Sequence, residues 1–174
     1  PEDAAGFKAW LQDAAQKSAE ASTEGGFLGF GGEKVSGAER ATLADAVEQR
    51  DKARVRTLLE TGVDVNVGQI DGTTALHWAA FHDDAETAAL LVRAHANVNA
   101  VNDAGVTPLA LACENGSGPM VDALLKGGAN PNAAVRSGET ALMTAARSGN
   151  LAAVKALVAK GAQVNAKEST HGQT

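Results

Sequence analysis

The chain has 174 residues, 44% apolar and 21% charged, which is ordinary for a soluble globular protein and enough to bury a core. Its apolar content is mostly Ala, Leu and Val, with no Tyr, 2 Trp and 4 Phe, a set that suits close-packed helices better than a sandwich or barrel. A net charge of -6 argues against a nucleic-acid partner, which normally leaves a basic footprint, and a single cysteine, Cys113, excludes an internal disulfide without deciding the compartment.

No apolar run approaches the roughly 18 residues that span a bilayer, and no signal peptide is evident, so direct membrane insertion is not expected. The chain opens on Pro1 and not on Met, which suggests that something was removed upstream.

In chain order, residues 4–22 place Phe7, Trp10, Leu11, Ala14 and Ala15 at the spacing of an amphipathic helix. Residues 25–32, G-G-F-L-G-F-G-G, come next. A phosphate-cradling loop needs a preceding strand and usually a lysine, so that backbone N–H groups and a positive charge converge on the anion. Neither is predicted here. Flexible glycines that let Phe27 and Phe30 fold over an apolar edge are the plainer reading. Beyond them, Ser36 to Glu39 (S-G-A-E) reads as a capping box that starts a further helix. Residues 1–35 are therefore expected to be an N-terminal helix and connector packed on the rest of the chain, and not a separate domain.

From there the chain repeats. Gly72, Gly105 and Gly138 are spaced 33 apart, each followed two residues later by Thr74, Thr107 or Thr140. In the same register stand T-A-L-H-W-A-A, T-P-L-A-L-A-C and T-A-L-M-T-A-A. Asn66, Asn99, Asn132 and Asn165 form a second ladder with the same period. The doublets Leu58-Leu59, Leu91-Val92, Leu124-Leu125 and Leu157-Val158 form a third. The threonines suit helix N-caps, Pro108 sits where a missing N–H costs little, and paired alanines keep a helix thin enough to pack closely. Gly62, Gly128 and Gly161 suit left-handed helix ends; His95 occupies that position in one unit and is expected to be strained there.

These residues resemble the ankyrin repeat, whose unit is a β-turn followed by two antiparallel helices. The resemblance implies an all-α solenoid with an extra N-terminal helix. It divides 36–174 into a degenerate cap at 39–66, full repeats at 67–99, 100–132 and 133–165, and the start of a further repeat at 166–174. No C-terminal cap is visible in the sequence. The wording V-N-D-A-G-V-T-P-L-A-L-A-C-E-N-G is most similar to bacterial ankyrin proteins, many of them exported. His77 stands at the histidine of the T-P-L-H motif, where the resemblance implies a structural hydrogen bond.

Catalytic chemistry is not in view. His77 and His82 are five apart, about 140° around a helix, and so do not converge on a metal. Cys113 aligns with Ala80 and Ala146, positions that pack between helices. No nucleophile with a base, and no paired carboxylates, meet in an expected cleft. No enzyme activity, metal or cofactor is expected.

The resemblance instead implies a concave surface built from turn tips and first helices. Its residues here are Ile70, Asp71, Thr73, Phe81 and His82; then Asp103, Ala104, Val106, Glu114 and Asn115; then Arg136, Ser137, Glu139, Arg147 and Ser148. Phe81 stands out, since an exposed aromatic beside Trp78 is the kind of residue that anchors an interface. Residues 67–132 carry 2 basic and 7 acidic side chains, and residues 133–174 carry 5 and 2, so the surface changes sign along its length. The expected partner is a protein or peptide with oppositely ordered charge. The rival expectation is an accessory subunit of a larger complex that meets its neighbours through residues 1–35 and the open C-terminal end.

Overall fold

The structure is a computed structural model and describes residues 37–167; the expectations for residues 1–35, for the capping residue Ser36 and for most of the further repeat at 166–174 lie outside it. The described residues form helix pairs: α1 (Gly37–Glu48) with α2 (Lys52–Glu60), α3 (Ala75–Phe81) with α4 (Ala85–Arg93), α5 (Pro108–Glu114) with α6 (Gly118–Lys126), and α7 (Ala141–Arg147) with α8 (Leu151–Ala159). The first helices α1, α3, α5 and α7 stack side by side in sequence order, and α4, α6 and α8 stack behind them.

From α3 onward the first helices have 7 residues and the second helices 9, too few to be stable alone in water. Packing between units supplies the rest. Leu43, Leu76 and Leu109 fill one register of the first-helix layer, while Ala79, Ala80, Ala112 and Cys113 let neighbouring backbones approach. Leu91, Met120, Leu124 and Leu157 fill the layer behind.

Each full unit opens on a tight hairpin. The amide of Gly72 donates to the Gln69 carbonyl at 2.9 Å, and that of Gln69 to the Thr73 carbonyl at 2.9 Å. The same pair of bonds recurs at Asn102 to Val106 and at Val135 to Glu139. The turn glycines take φ of 76° to 85°, the left-handed corner such a turn demands. The threonines then act as N-caps: the Thr107 hydroxyl accepts from the Ala110 amide at 3.2 Å and that of Thr140 from the Met143 amide at 3.3 Å.

Second helices end where expected, at Gly62 (φ 76°), Gly128 (φ 94°) and Gly161 (φ 86°), with His95 at φ 66° in the same role. The first helices show a parallel ladder that the glycine spacing does not reveal. Arg50 (φ 58°), Asp83 (φ 54°), Gly116 (φ 68°) and Gly149 (φ 70°) are all left-handed just beyond the helix end.

The register-mates of the buried leucines and alanines are uncovered in the last unit. Leu142 and Val154 are half-buried, and Ala146, Val158 and Val164 are exposed, whereas their register-mates one or two periods earlier, Leu109, Val121, Cys113, Leu125 and Val98, are buried.

Candidate functional site

Many of the side chains expected on the turn-and-first-helix surface bind their own chain. His82, Asn115 and Ser148 share one register, and all three reach back to the preceding unit. His82 Nε2–H donates to the Glu48 carbonyl at 2.9 Å, with Nδ1 left to accept from Arg50 at 3.1 Å. Asn115 Nδ2 donates to the carbonyls of Ala80 and Phe81 at 3.0 and 2.7 Å. Ser148 Oγ donates to the Cys113 carbonyl at 3.2 Å. These three satisfy helix-end carbonyls that would otherwise be orphaned. Sequence reasoning expected these three on the partner-facing surface and missed this task.

Asp71 and Ser137 also share a register and shape their own turns. The Asp71 carboxylate accepts the Thr73 amide at 2.9 Å and the Thr73 hydroxyl at 2.8 Å, bonds that hold its pKa below the ordinary value. Ser137 Oγ accepts the Glu139 amide at 3.3 Å. Asp71 adds a tip-to-tip bond, since its carbonyl accepts the Asp103 amide at 2.8 Å.

His77 is fully buried. Its Nε2–H donates to the Val106 carbonyl at 3.0 Å, so Nδ1 is unprotonated and accepts from the Thr74 amide at 3.1 Å. Burial lowers its pKa. The ring thus ties the start of α3 to the next hairpin, a structural role like the one its motif implies. Burial also pushes the Cys113 thiol up to about 12, far from the thiolate a nucleophile needs.

Ten of the predicted contacts are exposed: Asp71, Ala104, Asn115 and Ser148, together with Ile70, Asp103 and Arg136 at the hairpin tips and Phe81, Glu114 and Arg147 at the first-helix ends. Ile70 is wholly exposed, and Phe81 keeps 52% of its surface in solvent. Phe81 stands edge-on to Trp78 with ring centroids 5.6 Å apart, and Trp78 is held by its indole N–H to Gln69 Oε1 at 2.9 Å. Gln69 in turn donates to Asp45 and Glu48 at 2.6 and 2.8 Å. Arg136 donates to the Asp103 carbonyl and leaves that carboxylate untouched. Arg147 pairs with Glu139 at 2.8 Å.

The remaining ion pairs among the described residues lie on second helices and their caps: Lys52 with Asp84 and Glu86, Arg56 with Glu86, and Lys126 with Asp122.

Helix pairs repeating every 33 residues, joined by hairpins and tied side chain to backbone, define a helical-hairpin solenoid. Residues 43–135 and 90–168 match the family model described as ankyrin repeats (3 copies), and the chain belongs to the ankyrin repeat family. Repeats of this family are generally protein-interaction modules. Comparison with curated proteins gives no match. No helix among the described residues is long and apolar enough to cross a membrane.

Proposed function

We propose that the chain is a non-catalytic interaction module that holds a protein or peptide on the concave face formed by its hairpin tips and first helices. Phe81 is the apolar anchor, and Arg136 and Arg147 are charged contacts. The observation that carries this reading is the state of Phe81: half its ring lies in water while the residues around it, Trp78, His82 and Asn115, are tied to the chain. A large apolar side chain that the fold does not bury is available to a partner. The net charge of -6 favours a protein over a nucleic acid.

Affinity isolation with the intact chain and with Phe81→Ala tests this. The substitution should leave the melting temperature nearly unchanged and weaken binding of the isolated partner by about 2 kcal/mol. Unchanged affinity would remove Phe81, and with it the best support for the face.

A second reading, an accessory subunit of a larger assembly, is favoured by one observation. Leu151, Val158 and Val164 are exposed at the C-terminal end of the described stack. Val158→Glu would disrupt assembly on that reading and leave Phe81-dependent binding intact.

A further inference from the structure

Six of the exposed residues, in two registers of the repeat, have an order that neither their exposure nor the fold requires. Ile70, Asp103 and Arg136 occupy one position of the repeat, at the hairpin tip. Phe81, Glu114 and Arg147 occupy another, eleven residues later, at the end of the first helix. Both rows run apolar, acidic, basic. In these two registers the surface is therefore banded: the 67–99 unit offers Ile70 and Phe81, with the exposed Asp71 beside them turned to Thr73, the 100–132 unit Asp103 and Glu114, and the 133–165 unit Arg136 and Arg147. Solubility alone calls for charge somewhere on the surface and not for the same sequence of types in two separate rows.

The middle band is open to a partner. Neither Asp103 nor Glu114 forms an ion pair among the described residues, although an arginine stands in the next unit of each row. The third band is partly engaged, because Arg136 donates to a carbonyl, which leaves its charge unneutralised, and Arg147 is held by Glu139. An incoming carboxylate must compete for Arg147 and meets Arg136 directly.

Packed helices lie about 8–10 Å apart. A polyproline II segment rises about 3.1 Å per residue with three residues per turn, so residues i, i+3 and i+6 point the same way about 9 Å apart. A flat β-strand has no such match, since i and i+3 fall on opposite faces.

We infer that the banded surface of Ile70/Phe81, Asp103/Glu114 and Arg136/Arg147 reads an extended, polyproline II-like protein segment carrying an apolar, a basic and an acidic residue in that order, three residues apart. This inference rests on the concave-face reading and specifies its ligand. The apolar residue packs on Phe81, the basic one pairs with Asp103 and Glu114, and the acidic one takes Arg136. The rule is one of order along the stack and leaves chain direction open. The basic residue must be in the middle either way.

The test uses heptapeptides with proline spacers, Leu-Pro-Pro-Arg-Pro-Pro-Glu and its reverse Glu-Pro-Pro-Arg-Pro-Pro-Leu. The permuted controls place Leu or Glu in the middle. Titration of the full chain, followed by the NMR shift of the Trp78 indole N–H and of the backbone amides in all three bands, reads affinities down to the millimolar range. At least one Arg-centred peptide should bind about tenfold or more tightly than any permuted control. In the quadruple variant Asp103→Arg/Glu114→Arg/Arg136→Glu/Arg147→Glu, which reverses both charged bands, preference should switch to the Glu-centred peptide Leu-Pro-Pro-Glu-Pro-Pro-Arg or its reverse. A circular dichroism spectrum and melting curve confirm that the variant is folded; Glu114→Arg alone, which leaves the Arg147–Glu139 pair in place, should weaken the preference for the Arg-centred peptides without reversing it.

Equal affinity for ordered and permuted peptides, no switch on charge reversal, or no binding of any peptide at millimolar concentration overturns the inference. If the natural partner still depends on Phe81 in those cases, the concave-face reading stands and only the order rule falls. If Phe81→Ala also leaves the natural partner bound, both fall.

Discussion

Asn99 and Asn130, one unit apart, are joined by a 2.7 Å bond in which the Asn99 side-chain oxygen accepts the Asn130 backbone amide. The other half of the Asn99 carboxamide donates to the Gly128 carbonyl at 3.1 Å. Asn66 repeats the arrangement on Asn97 and His95, and Asn132 on Gln163 and Gly161. Replacing Asn99 by Ala should cost about 1–2 kcal/mol, for two bonds lost to groups that water can partly reach. Urea unfolding measures it. Asn165→Ala serves as the control, because Asn165 makes no such bond among the described residues and its loss should be small.

His95 at φ 66° makes no side-chain hydrogen bond among the described residues, and its carbonyl, not its ring, serves Asn66. His95→Gly should therefore stabilise the protein by about 0.5–1 kcal/mol, the left-handed strain less the entropy that glycine adds to the unfolded chain. Asp83→Gly, at a type more tolerant of that conformation, should gain less. A loss of stability in His95→Gly would show that the imidazole compensates its own backbone.

Gly105 is constrained twice. It sits at φ 80°, and a Cβ there would lie 2.5 Å from Cγ of Arg136. Gly105→Ala should lower stability by at least about 1–2 kcal/mol. Adding Arg136→Ala should recover the part due to crowding and none of the part due to φ. A double-mutant cycle by thermal unfolding separates the two.

Stability should fall on acidification in two windows. Burial lowers the folded-state pKa of His77, so below its ordinary value near 6.5 the unfolded chain takes up a proton that the native ring refuses. Stability is therefore full above that value and declines as pH falls beneath it. Asp71 is lowered chiefly by the Thr73 amide, Glu86 by Lys52 and Glu139 by Arg147. Their contributions are present above ordinary carboxylate values of 3.8 to 4.5 and are lost as pH falls through the lower folded values. Urea midpoints between pH 7.5 and 3 should show both declines. His77→Gln should lower stability overall and flatten the upper window. An unchanged upper window would assign it to another histidine.

Cys113 is the chain's only thiol and is fully buried. Native protein should react with an aromatic disulfide reagent far more slowly than unfolded protein, and labelling should track unfolding of the 100–132 unit. Prompt reaction under native conditions would mean that α5 opens locally.

The architecture was legible because a 33-residue period writes each structural role several times over. Gly72, Gly105 and Gly138 mark turns, Thr107 and Thr140 mark caps, and the leucine registers mark the core. Thr74 shows the limit of this reading. It stands in the cap register, but its partner in the capping box is the buried His77, whose Nδ1 accepts the Thr74 amide and lies 2.8 Å from the Thr74 hydroxyl. The candidate site was legible only as a set of turn-tip and first-helix positions. His82, Asn115 and Ser148 are different residue types, so nothing in their spelling revealed that all three donate to helix-end carbonyls one unit back. Arg50 and Asp83 hid the second ladder of left-handed residues for the same reason: only its later members, Gly116 and Gly149, are glycines.

The asparagine ladder has a consequence for lineage. Excising residues 67–99 would bring the Asn66 carboxamide to the amide of Asn130 and the carbonyl of Gly128, the same chemical groups it now meets at Asn97 and His95. Inserting a copy of a unit would be equally invisible to the bonds at its seams. The joints carry no serial number. Unequal recombination can therefore lengthen or shorten this molecule without repairing a single one of these asparagine bonds, while the bands of Ile70 and Phe81, Asp103 and Glu114, and Arg136 and Arg147 are dealt out, duplicated or lost as whole cards.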